Sequence, residues 1–189
     1  MTKTLIGGLA GGFVLYIVGF LFWGTPLSAI AYSRAEGQAA ANLQAAMAQA
    51  LTPTGTGVYI VPDPATAEGT ILYGRGPIAT LYYNSNGFPV TDSAALIGGL
   101  ILALVVGVLI ALALRFVTTD YGARLRVGVI FAVVAALWLD IGRAVFDHAP
   151  WGYIIYLAIS NFAALALTAL VATKIMGHDS VAPTPPPPA

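Results

Sequence analysis

AALIGGLILALVVGVLIALAL, residues 94 to 114, carries no charged side chain. At 1.5 Å of rise per residue a helix of this length spans roughly the 30 Å of a bilayer's hydrocarbon layer, and Arg115 closes it. Three more stretches read the same way: Thr4 to Trp23, Leu125 to Phe146, and Trp151 to Ala172 with Lys174 just beyond. Only Asp147-His148-Ala149-Pro150 separates the last two, so they form an antiparallel hairpin. The expected fold class is a mainly α membrane protein. It has four transmembrane helices and a small α+β extracytoplasmic domain, residues 24–93, between helices 1 and 2.

Composition points the same way. Of 189 residues 58% are apolar and 8% charged, where a soluble domain carries about 25% charged residues. Lipid is the solvent that reconciles these numbers, and the bilayer is the first partner expected. Eight Lys/Arg balance eight Asp/Glu, so no net field draws the chain to nucleic acid, which is excluded as a partner. The absence of cysteine removes disulfides, thiolate nucleophiles, iron–sulfur ligation and cysteine-type zinc sites together.

The first apolar run competes with a cleavable signal peptide, because Ala29-Ile30-Ala31 has the small-x-small form of a cleavage site. Its length favours a retained helix. Residues 24 to 93 hold most of the turn formers and four of the eight acids, Glu36, Asp63, Glu68 and Asp92, and so belong in water. Ser33-Arg34-Ala35-Glu36 has the form of a capping box. It predicts an Ala-rich helix to near Leu51 with Leu43, Met47 and Leu51 as its buried stripe. Val58 to Val61, Thr70 to Tyr73 and Ile78 to Tyr83 are short β-rich runs bounded by Gly, Pro and Asn. They predict about three antiparallel strands, with Gly74-Arg75-Gly76-Pro77 as a hairpin turn. That turn lacks the Gly-Lys-Ser/Thr ending of a phosphate loop. The tail, 177–189, is Pro-rich and expected to be extended or disordered on the cytoplasmic side.

Lys and Arg near the helix ends set the expected orientation. Lys3, Arg115, Arg124, Arg126 and Lys174 fall on the side of the N-terminus, against Arg34, Arg75 and Arg143 on the other. Both termini are therefore expected in the cytoplasm and residues 24–93 in the periplasm, in a bacterial inner membrane. The aromatics Tyr16, Phe20, Phe22, Trp23, Trp151 and Tyr153 suit a belt at the outer interface.

Asp140, Arg143, Asp147 and His148 stand at the outer end of the third span. The first three are spaced i, i+3, i+7 and share a helix face, so the arginine can pair with either carboxylate. An ionisable group within a span is costly and marks a functional candidate. Here only Asp140 has to sit deep, roughly 10 Å by helical rise. The plainer reading is an internal ion pair that fixes how the third helix packs. The sharper one is a proton or ligand relay, and a third is contact with a partner subunit or a lipid head group. Asn161 and Ser160, mid-way along the fourth span, need hydrogen-bond partners across the bundle, and Asp140 or Arg143 is in reach for Asn161. Gly7, Gly8, Gly11 and Gly12 form two overlapping small-xxx-small patterns for close helix approach. No catalytic constellation, metal site or cofactor is expected. His148 is the only histidine near a span on its side, and His178 falls on the other.

Phe22-Trp23-Gly24, then Gly57-Val58-Tyr59-Ile60-Val61-Pro62, then Tyr73-Gly74-Arg75-Gly76-Pro77 and Leu81-Tyr82-Tyr83 precede the last three spans. This layout resembles an uncharacterised bacterial family of four-span inner-membrane proteins with a small extracytoplasmic α+β insert between the first and second spans. The resemblance implies the architecture but brings no activity or site residues. Two function classes follow from the residues. The first is a non-catalytic accessory subunit or assembly factor that packs against other membrane subunits of a larger complex. The second is a small transporter or membrane enzyme with a polar site built from Asp140, Arg143, Asp147, His148 and Asn161.

Overall fold

The computed structural model describes residues 1–117 and 119–177; the expected tail beyond Gly177, with His178, lies outside them. The chain is mainly helical and divides into two compact units, Met1–Ser33 with Ser93 onward, and Arg34–Asp92. In the first unit four helices are long and apolar enough to cross a membrane. They are α1 (Thr2–Trp23), α4 (Ser93–Val117), the third span Tyr121–Phe146, and α7 (Trp151–Met176). The third span is composite: α5 (Tyr121–Ala135), a π-helical segment (Ala136–Ile141) and α6 (Gly142–Phe146). Asp120 starts it by accepting a hydrogen bond from the Ala123 amide at 2.7 Å, an N-cap that satisfies one free donor of the first turn.

Glycine decides how these helices meet. The two overlapping patterns on α1 serve two different neighbours. A Cβ at Gly8 would lie 2.6 Å from Val108 Cα and one at Gly12 2.5 Å from the Ala103 carbonyl, both on α4. A Cβ at Gly7 would lie 2.9 Å from the Ala172 carbonyl and one at Gly11 2.9 Å from that of Thr168, both on α7. α4 answers with Gly107, where a Cβ would run into the backbone of Gly8 and Gly12. Thr168 Oγ1 donates to the Gly11 carbonyl at 3.2 Å, a bond the close approach permits. α1 is thus central, flanked by α4 and α7, and α5 joins on α7, where Gly128 meets the Ala169 methyl. Ala103, Gly107 and Ala111 on α4, and Gly128, Ala132 and Ala136 on the third span, are buried at four-residue spacing. Small residues at helix contacts are what lipid-embedded packing uses.

The Arg34–Asp92 unit departs from expectation in several respects. It contains two strands, β1 (Gly57–Val61) and β2 (Ala79–Tyr83), antiparallel with Gly57 opposite Tyr83 and Val61 opposite Ala79. The third expected strand, Thr70 to Tyr73, is helical and belongs to α3 (Ala67–Arg75). Thr66 nucleates α3 by accepting from the Gly69 amide at 3.0 Å, and Glu68 and Arg75 stand at the ends that suit their charges. The expected hairpin turn is instead the end of α3: Gly76, at φ 67°, takes the left-handed backbone that stops it.

The capping box does not form either. α2 (Gly37–Leu51) begins after Glu36, which makes no side-chain cap bond, and Gly37 turns the chain at φ 55°. The expected buried stripe of α2 is not buried: Leu43 is exposed, and Met47 and Leu51 are half-buried. A two-stranded sheet offers too little apolar surface to cover a helix face, and a cavity of about 380 Å³ lies between Met47 on α2 and Tyr82 on β2.

Gly107→Ala forces α1 and α4 apart and is expected to lower the apparent Tm by roughly 3–10 °C, the cost of overpacking a tight contact. Circular dichroism melts in detergent measure this. Gly98→Ala, where a Cβ meets nothing within 4 Å, leaves Tm unchanged or slightly raised.

Candidate functional site

Asp140 sits in the π-helical segment and is only 5% exposed. A π-helical turn shifts the register of the residues after it, and such segments recur at functional positions. From α7, Asn161 Nδ2 donates to both carboxyl oxygens, at 3.1 Å to Oδ1 and 2.9 Å to Oδ2. The structure therefore joins Asp140 and Asn161. Arg143, one turn further along, is half-buried. Asp147 and His148 lie in the exposed connection to α7, where His148 takes a left-handed φ of 54°. The connection is pinned by the amides of Asp147 and Ala149, which both donate to the Arg143 carbonyl, at 3.0 and 3.2 Å. Among the described residues no group of three or more His, Cys, Asp or Glu side chains is placed to hold a metal ion.

Beside this pair lies an aromatic cluster that ties α1 to α7. Trp23 Nε1 donates to Ser160 Oγ at 3.2 Å, Ser160 donates to the Leu157 carbonyl at 2.9 Å, and the Tyr156 hydroxyl donates to the Phe22 carbonyl at 2.7 Å. The Trp23 and Tyr156 rings meet edge to face at 5.1 Å, and Tyr32 and Tyr153 complete the group. Partial desolvation pushes the Tyr32 phenol above its usual range, and the charge and hydrogen bond of Tyr153 add to the shift. Of this cluster, Tyr32 and Tyr156 have no place in the sequence-based belt. Ser160 there lacks its partner, Trp23.

At the opposite end of the same bundle lies a polar site absent from the sequence-based candidates. Arg124 is 1% exposed, and its Nη1 donates to the Gly177 carbonyl at 2.8 Å. Arg115 Nη1 donates to Thr4 Oγ1 at 3.2 Å, and Thr4 is itself buried. In the sequence these arginines serve only to orient the chain. A signal for the burial exists: Arg124, Gly128, Ala132, Ala136, Asp140 and Ala144 recur every four residues, all are buried, and a charge stands near each end of the row.

Compared with known protein families, curated proteins and solved structures, the chain matches none.

Asn161→Leu strands the buried Asp140 carboxyl group and is expected to cost about 1–3 kcal/mol. The double change Asp140→Leu with Asn161→Leu removes both partners and recovers most of that loss. Unfolding of the purified protein in detergent, followed for both variants, gives the comparison. A double variant no better than the single one contradicts the pairing.

Proposed function

We propose that the chain is a non-catalytic accessory subunit or assembly factor of a larger bacterial inner-membrane complex. Both termini face the cytoplasm, and the Arg34–Asp92 unit docks a partner on the periplasmic side. One observation carries this reading. In that unit Gly69 is the only buried residue, while Val58, Ile71, Phe88 and Tyr82 are between 59% and 74% exposed.

A unit this small, with no cysteine to staple it, gains little from burial within itself. Exposed apolar and tyrosine-rich surface of this kind marks a protein contact, and binding stabilises whichever fold presents it. In the spans, the Asp140–Asn161 and Trp23–Ser160 pairs direct hydrogen-bonding groups at one another, which supports a packing role for them. The likeness of the segment layout to a bacterial family of four-span inner-membrane proteins agrees with this placement. The alternative, a small transporter or membrane enzyme, draws on the position of Asp140 in a π-helical segment.

Purification of the tagged full-length chain from its native membrane in a mild detergent is expected to recover a partner in fixed stoichiometry, read by mass spectrometry. Replacing Tyr82 and Phe88 with Ser releases that partner, whereas Asp140→Asn retains it. A lone monomer recovered from gentle extraction contradicts the proposal.

A further inference from the structure

The sheet has two strands, β1 (Gly57–Val61) and β2, so each strand has one neighbour and one outer edge. In an antiparallel pair, alternate residues turn their N–H and C=O groups away from the partner. Among the described residues the backbone of Gly57–Val61 makes no main-chain hydrogen bond beyond its ladder with β2, and Val58 and Ile60 are 61% and 50% exposed. Open strand edges are usually protected by a charged side chain, a proline or a bulge. Gly57-Val58-Tyr59-Ile60-Val61 has none of these: it carries no charge and no proline, and its register with β2 is one to one throughout. We propose that the outer edge of β1 pairs antiparallel with the same edge of a second copy of this chain.

Symmetry selects this occupant. An antiparallel pair of identical strands has a two-fold axis, so the contact is self-complementary and closes at two copies. The register that pairs the whole strand sets Tyr59 opposite Tyr59 of the other copy, Val58 opposite Ile60, and Gly57 opposite Val61. Each residue then faces one an even number of positions away. Groups that point outward on one copy therefore meet groups that point outward on the other. Val58 and Ile60 are β-branched and stand on one face of the sheet, where such opposed pairs are favourable. Pro62, with no N–H to donate, ends the pairing.

The product is a four-stranded sheet in the order β2–β1–β1–β2. Two strands alone are marginal in water, whereas three or more with an apolar face are stable. Pairing thus supplies what the sheet of one copy lacks, and main-chain hydrogen bonds carry the contact. An extended segment of another protein would satisfy the same hydrogen bonds; the match of Val58 to Ile60 across a two-fold axis is what favours a second copy. This contact does not depend on the accessory role proposed above.

The chain contains no cysteine, so introduced thiols report the register without background. Val58→Cys and Ile60→Cys, carried on two differently tagged full-length copies and co-expressed, are expected to form a disulfide between the tags when membranes are mildly oxidised. Directly opposed strand residues have Cα atoms about 4.5–5.5 Å apart, within disulfide reach. Val58→Cys expressed alone sets its two thiols on a diagonal, with Cα atoms about 7–8 Å apart, and is expected to cross-link about tenfold less. Val58→Lys with Ile60→Lys sets like charges opposite one another on an exposed face. This variant keeps the wild-type circular dichroism and weakens the dimer seen by native mass spectrometry about tenfold. Co-expression with a Val58→Glu, Ile60→Glu copy restores a mixed dimer.

No disulfide between the tagged copies, equal cross-linking of the single and paired variants, or a dimer undiminished in the lysine variant overturns the proposal. A cross-link from Val58→Cys to a different protein in place of the second copy does so as well, and assigns the edge to a foreign strand.

Discussion

In hydrocarbon there is no water to take up a stray hydrogen bond, and one apolar helix gains no hydrophobic energy by leaving lipid for another. Helices therefore associate through backbone contact close enough for dispersion to accumulate, and through the few polar groups they can pair. Both devices are visible in the four-helix unit. α1 carries alternate glycines on two faces, Gly8 and Gly12 toward α4, Gly7 and Gly11 toward α7, and so forms the axis on which the other helices are placed. Once the backbones are that close, Thr168 reaches the Gly11 carbonyl, Tyr156 reaches the Phe22 carbonyl, and Trp23 reaches Ser160. Polar side chains then lock a register that the glycines allow.

The third span obeys the same constraint with charged residues. Its buried row of small side chains runs from Arg124 to Asp140, roughly 24 Å apart by helical rise. Arg124 is held by the Gly177 carbonyl and Asp140 by the Asn161 amide, so each charged residue contacts α7 or its C-terminal cap. The two ends differ in character. The Asp140 end is filled by its partner, whereas the Arg124 end opens on a cavity with further cations.

Much of the membrane architecture is legible in the sequence, because a stretch such as Ala94 to Leu114 with no charge has few alternatives to a spanning helix. The sheet is partly legible: Val58–Val61 and Ile78–Tyr83 stand out as β-branched and aromatic runs, whereas Thr70–Tyr73 looks alike but follows a threonine cap that turns it into a helix. Composition alone does not separate those cases; the Thr66–Gly69 hydrogen bond does. Asn161 and Asp140 are recognisable as polar groups in need of partners and in reach of each other, but the π-helical segment that carries Asp140 is not marked in the sequence. Arg124 is the instructive omission. An arginine close to a helix start reads as interfacial, and only the four-residue recurrence of Gly128, Ala132 and Ala136 shows that it lies on the buried face.

The account rests on lipid surrounding four separate stretches of this chain. The direct test is a pair of compartment-sensitive reporters fused at residues 60 and 120 of the membrane-inserted protein. The expected result is a signal from residue 60 outside the cytoplasm and from residue 120 within it. Signals from the same compartment would contradict the account.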